Sequence, residues 1–316
     1  MKSLIIGSVV LATDQGLGYL AKAFYDNGLV KKVLIHQHTS RVNHHEWYPD
    51  ACKSEEELLD GLDVLLLFEE AWDWKIIVRA RKKGIKTILM PMYECTRHPL
   101  PYEPDIILCP SLLDMRYYDD KNSVFLPVPV NVPWKKRSKA LVFVHNAGNG
   151  GLGMRNGTPE LLEAMRYVKS PIKLIVRTQS CDFTCDDPRV EIRKGNFPVE
   201  TLWDEGDVFI FPEKFNGLSL PLQEAFASGM LVMAGDRFPM NTWLPTEPLI
   251  PVERYKKERI VREFESAVYD PKIIAETIDN WYGKDISQFS LAGREWGKLN
   301  SWDNLLYEYI STIGEL

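Results

Sequence analysis

The sequence predicts an α/β protein built from two doubly wound domains. Of its 316 residues, 45% are hydrophobic and 26% charged, the balance of a globular chain. Its apolar residues fall in short continuous runs separated by helical patterns, as parallel strands covered on both faces do. A proline-rich break near residue 130 divides two series of such runs. At about 100–200 residues per domain, the length fits two cores. The expected division is a first domain at 1–130, a linker at 131–137, a second domain at 138–296 and a closing segment at 297–316.

In the first series, strands are expected at Ser3–Ala12, Lys32–His36, Val64–Phe68, Thr87–Met90 and Ile106–Cys109. Helical patterns at Leu17–Asn27, Glu55–Leu59 and Trp74–Lys83 lie between them. This βαβα succession predicts a parallel sheet. Pro127, Pro129 and Pro133 fit neither a helix interior nor a central strand, which marks the linker. Beyond it, strands are expected at Ala140–Val144, Lys173–Arg177, Val190–Ile192, Val208–Phe211 and Leu231–Ala234, with helices at Pro159–Tyr167, Glu200–Trp203 and Leu220–Ala227. Apolar residues at 302, 305, 306, 309 and 310 have helical spacing, so Trp302–Thr312 should pack one face.

The longest apolar runs fall far short of the roughly 20 residues that a membrane span needs. Residues 4–12 lead into a glycine turn and read as a strand rather than a signal peptide. Five scattered cysteines do not make a disulfide framework. A soluble, cytoplasmic protein is expected. Its net charge of −6 resides wholly in residues 138–316. A basic cluster, Lys75, Arg79, Arg81, Lys82, Lys83 and Lys86, reads as a solvated helix face; as an interface it would meet a polyanion or anionic lipid. His36, His38, His44 and His45 lack the fixed partner spacing of a zinc site and read as polar surface, and no metal is expected.

Three turns sit where open parallel sheets bind ligands, after strand carboxyl ends. Thr13–Gly18 places Gly16 and Gly18 at a helix start, where backbone N–H groups meet anions. His145–Gly157 holds Gly150 and Gly151 among its glycines, with Arg155 placed to meet phosphate and Arg177 as a second cation at the next strand end. In Asp207–Gly229 a strand enters a turn and a helix opens at Leu220-Pro221, proline being tolerated in a first turn. The N–H groups of Leu218, Ser219 and Leu220 should point outward from that helix start. Glu224, one turn in, could accept from the paired hydroxyls of a ribose. A helix start aimed at a diphosphate beside such a carboxylate makes a nucleotide site.

Asn216-Gly217-Leu218-Ser219-Leu220-Pro221-Leu222-Gln223-Glu224-Ala225 resembles the family 4 (group 1) glycosyltransferase signature Glu-Gly-Phe-Gly-Leu-Pro-x-x-Glu-Ala. That family comprises retaining enzymes of the GT-B fold. The resemblance covers the second half of the chain and the first only in outline. It implies two Rossmann-like domains facing across a cleft, with the closing helix packing back on the first. It also implies a nucleoside-diphosphate sugar, UDP or GDP, as co-substrate without metal or other cofactor. Glu224 would hold the ribose, Gly217–Leu220 the diphosphate, and Gly16 and Gly18 would close the phosphate pocket. Fixed dipoles and cations would stabilise the leaving group.

The sequence departs from the family pattern at positions that bear on chemistry. Asn216 replaces the first glutamate, and Asn156 stands where the family has a lysine, with Arg155 adjacent. The family's first-domain histidine has no match; Tyr93 and Glu94 stand at the corresponding strand end as acceptor contacts. Asn216, Arg155 and Glu94 are the catalytic candidates. Three readings follow: transfer to a soluble glycan or small molecule, transfer to hydroxymethylated bases of phage-type DNA through the basic cluster, or silent binding of a nucleotide sugar. The sequence leaves the oligomeric state open.

Overall fold

A computed structural model describes residues 4–198 and 201–315, which form two compact units. Unit 1 holds the chain through Val128, the short stretch Arg259–Arg262 and the chain from Trp302 on; unit 2 holds Pro129–Glu258 and Glu263–Ser301.

Unit 1 contains strands β1 (Ile6–Ala12), β2 (Lys32–His38), β3 (Val64–Phe68), β4 (Lys86–Met90), β5 (Ile106–Cys109) and β6 (Ser123–Phe125). Its helices are α1 (Gly16–Asp26), α2 (His44–Trp47), α3 (Glu55–Leu59), α4 (Lys75–Lys82) and α5 (Leu112–Tyr117). All strand pairs are parallel, in the order β2-β1-β3-β4-β5-β6. Val64–Phe68 is buried along its whole length, which is why its apolar run does not alternate. Short helices are fixed at their starts: Ser54 accepts from the Glu57 N–H and Ser111 from the Asp114 N–H.

Unit 2 contains β7 (Val142–Gly148), α6 (Thr158–Ala164), β8 (Lys173–Thr178), β9 (Val190–Lys194), β10 (Val208–Phe211), α7 (Leu220–Ala227) and β11 (Leu231–Ala234). A two-stranded ribbon, β12 (Arg254–Arg259) and β13 (Glu263–Val268), precedes α8 (Pro271–Trp281) and α9 (Ser287–Leu299). The parallel sheet runs β11-β10-β7-β8-β9. One core of Phe143, Leu174 and Ile210 lies against α6 and α8; a second, of Phe209, Phe211, Leu222 and Phe226, lies against α7. The last helix, α10 (Trp302–Gly314), belongs to unit 1, where Trp302 and Tyr309 pack edge-on against Phe24.

The two parallel α/β sheets agree with the predicted class, and Val64–Phe68, Val208–Phe211 and Leu220–Ala227 keep their expected bounds. Differences lie elsewhere. The expected linker at 131–137 is packed into unit 2. The Trp134 indole N–H donates to the Ser290 carbonyl, and the buried Arg137 guanidinium donates to the Gly206 and Lys135 carbonyls. The expected closing segment at 297–316 is split, with α9 ending at Leu299 and α10 starting at Trp302. Ser3 and the Glu200 start of the expected helix at 200–203 lie outside the described residues.

Candidate nucleotide site

In unit 2 the chain leaves β7 toward β8 on one side and returns to β10 on the other. The carboxyl ends of β7 and β10 therefore point into diverging loops, the place where such sheets take ligands. The glycine-rich loop follows β7, and the segment Pro212–Ser219 follows β10.

The two loops are bound to each other. The Lys214 N–H donates to the Arg155 carbonyl at 2.7 Å, and the Lys214 ammonium pairs with Glu160 at 2.7 Å. Gly157 has φ +74°, and a Cβ there would sit 2.2 Å from the Pro212 carbonyl oxygen, so only glycine fits. Beneath the loop, His145 places one ring nitrogen 2.9 Å from the Ile210 carbonyl and the other 2.7 Å from the Thr158 hydroxyl. A carbonyl can only accept, so Nδ1 carries the hydrogen and Nε2 accepts from Thr158. Burial lowers this imidazole's pKa to about 4, so it stays neutral while fixing the start of α6.

The segment after β10 is organised by a buried ion pair. Glu213 is 2% exposed, and its Oε2 accepts from Arg237 at 3.1 Å. Arg237 also donates to the carbonyls of Glu213 and Asn216, at 2.9 and 3.0 Å. Burial pushes the Glu213 carboxyl up, against Arg237, Arg155 and the Asn216 amide, which hold it down. Asn216 donates to Glu213 Oε1 at 2.8 Å and accepts from the N–H groups of both Leu218 and Ser219 at 3.1 Å.

That arrangement corrects two expectations. Asn216 does not present its side chain as a sugar contact: its amide is engaged at both ends within the loop, and the residue is buried. The N–H groups of Leu218 and Ser219 do not point outward, because the Asn216 oxygen takes both. Gly217 is buried in the turn, and Ser219, at the start of α7, has a left-handed backbone with φ 46°. Leu220 opens the helix, with Pro221 in its first turn.

Glu224 lies one turn into α7, half-buried. The Trp203 indole N–H donates to its Oε2 at 3.2 Å. Burial raises this carboxyl to about 7, against the indole hydrogen bond. It retains acceptor capacity for a hydroxyl pair.

Among the cations, Arg155 lies in the joined loops, its guanidinium 5.8 Å from the Phe215 ring centre. Arg177 is corrected as a phosphate cation: only 5% exposed, it donates to the Leu202 carbonyl at 2.6 Å and pairs with Glu205 at 3.3 Å. Gly150 and Gly151 both have left-handed backbone in the loop. Glu213, Arg237 and Trp203 escaped sequence reasoning. A carboxylate two residues past β10 was the one visible signal, whereas Arg237 and Trp203 reach the site only through folding.

The remaining candidates belong to unit 1. Gly16 opens α1 in open space, while Gly18 is tightly packed: a Cβ there would lie 2.0 Å from the Thr13 carbonyl oxygen. Tyr93 is corrected as an acceptor contact, because Tyr117 stacks on its ring at 3.4 Å and the Arg262 guanidinium lies 4.3 Å from its centre. Glu94 is buried beside it; Asp114 is raised chiefly by its own burial, with the Glu94 charge adding to the rise. Unit 1 has its own diverging strand ends, at β1 and β3, and the turn after β3 holds Glu69 and Trp72 with left-handed backbone. In the basic cluster, Arg79 pairs with Glu55 and Asp73, and Arg81 with Asp105, as a solvated face does. His38 stacks on His44 and His45 lies tilted against it, each pair with ring centres 4.1 Å apart. No group of three or more His, Cys, Asp or Glu side chains among the described residues could hold a metal ion. No helix among them is long and apolar enough to cross a membrane.

Neither a family model nor a curated protein matches this sequence. Solved structures do. A glycosyltransferase from Rickettsia africae ESF-5 superposes with a TM-score of 0.68 at 13% identity, covering 100% of this chain and 99% of the other. HepE from Anabaena, in complex with UDP and glucose, gives 0.66 at 9% identity, covering 98% of this chain and 100% of the other. The fold is GT-B. Against the GtfA/B complex, with a TM-score of 0.57 and 13% identity, the match covers 80% of this chain but only 57% of the other.

Proposed function

We propose that the chain is a retaining glycosyltransferase that moves a sugar from a nucleoside-diphosphate sugar, UDP-linked in the first instance, to a hydroxyl of a soluble glycan or small molecule. The observation that carries this reading is Glu224. It is a half-buried carboxyl at the start of α7, beside diverging strand ends, with a single indole donor and capacity for two ribose hydroxyls. HepE, which shares the fold, holds UDP and glucose.

In this reading the nucleotide lies along the carboxyl ends of β7 and β10. Glu224 takes the ribose, the opening of α7 at Leu220 faces the diphosphate, and Arg155 adds positive charge. These fixed charges stabilise the departing diphosphate without a metal. Glu213 and Arg237 act through Asn216, holding the turn that aims the helix.

A thermal-shift screen with UDP, GDP, ADP, CMP and TDP, and with their sugars, tests this. A ligand at 100 times its Kd adds about 2.7 kcal/mol, raising Tm by a few degrees. One diphosphate should stabilise the wild type, and Glu224→Ala should lose the shift. No shift with any of them overturns the reading.

A second reading, silent binding of a nucleotide sugar, is favoured by Asn216 and Arg177, since both polar groups are spent inside the protein. Release of glucose from UDP-glucose, even slow, excludes it.

A further inference from the structure

The geometry points to Asn146 as a ligand-contacting residue of this site, its side-chain amide closing on the nucleoside-diphosphate sugar; this rests on the reading above.

Asn146 is the fifth residue of β7, just before the strand's register shifts toward Gly148. Successive side chains of a strand point to opposite faces. His145 faces α6, since its ring bonds Thr158 at the start of that helix. Asn146 therefore faces the other way, toward α7. Two further contacts place it there. Val144, two residues earlier and so on the same face, lies against Gly206 near Met230, the residue that leads out of α7. Arg177, the register partner of Asn146 on β8, donates to the Leu202 carbonyl on that face, and the next residue, Trp203, donates to Glu224.

Both polar atoms of this amide are buried, and neither Oδ1 nor Nδ2 has a hydrogen-bond partner among the described residues. Asn156, in the loop that follows β7, shows what a structural amide does here: its Nδ2 donates to the Ala147 carbonyl at 2.9 Å. A buried amide without partners costs stability, and folded proteins keep one where something else completes it. The complement of a group offering one donor and one acceptor is a ligand edge that offers both. Sugar hydroxyls and the imide edge of a pyrimidine are such edges, and a UDP-sugar carries each.

The test compares wild type with Asn146→Leu, of similar size, and Asn146→Ala. Each is measured for Tm without ligand and for Kd toward UDP and UDP-glucose by calorimetry. The expected result is a ligand-free Tm that stays level or rises in Asn146→Leu, with affinity about tenfold or more weaker in both variants. Loss toward UDP itself assigns the amide to the nucleotide, and loss toward UDP-glucose alone assigns it to the sugar. Unchanged affinity in both variants overturns the inference while the nucleotide reading stands. So does a lower ligand-free Tm with unchanged affinity, the mark of a structural amide. If wild type binds neither ligand and none of the screened diphosphates stabilises it, the nucleotide reading falls and this inference falls with it.

Discussion

Each unit holds one carboxyl that burial raises to about 7, and the two differ in what completes it. In unit 1, Asp114 accepts from the Tyr93 N–H at 2.8 Å and from the Ser111 hydroxyl, and its neighbourhood is closed by stacked rings and Arg262. In unit 2, Glu224 has, among the described residues, the Trp203 indole alone, at the mouth of two diverging loops. The same end point thus accompanies unequal chemistry. A raised pKa reports desolvation, whereas unused acceptor capacity at a strand-end opening is what marks a site.

The largest effect should come from the pair that shapes the unit 2 loop. Arg237→Met strands Glu213 as an unpaired buried carboxyl and should cost about 3–5 kcal/mol, read by denaturant unfolding. A cost below about 1 kcal/mol would mean that the pair does not hold the turn.

The two raised carboxyls can be set against each other by pH. Each has a folded pKa above its unfolded value, so each stabilises the fold at low pH, and that stability is lost as pH rises through the folded pKa. The windows run from the ordinary carboxyl range, near 4, up to about 7. Above pH 7, Glu224→Gln should recover up to about 3 kcal/mol of ligand-free stability. Asp114→Asn should flatten the same window but leave nucleotide binding intact. Equal loss of binding in both would erase the contrast between the units.

The smallest effect belongs to Ser219, a non-glycine residue with left-handed backbone at the head of α7. Ser219→Gly should stabilise unit 2 by about 1 kcal/mol, read as a Tm increase.

The sheets were legible because buried parallel strands write themselves as unbroken apolar runs, as Val64–Phe68 does, and α7 because Pro221 stands in its first turn. The ribbon β12–β13 was not, since Arg254–Arg259 is largely exposed and charged, giving no buried pattern to read. Of the site, Glu224 could be found from its spacing to the helix start. Asn216 misled: an asparagine in place of a carboxylate reads as a weakened sugar contact, yet folding turns it inward onto two N–H groups. Only Glu213 and Arg237, 24 residues apart, explain why it turns that way.

Unit 1 is assembled from separated stretches of chain, and this has a bearing on its synthesis. Phe24 is covered by Trp302 and Tyr309, and the Tyr309 hydroxyl donates to the Pro127 carbonyl at 3.1 Å. A nascent chain therefore makes the whole six-stranded sheet long before the aromatic cover for Phe24 leaves the ribosome. Unit 2, closed by residue 301, can complete itself first, and the unit begun earliest is finished last.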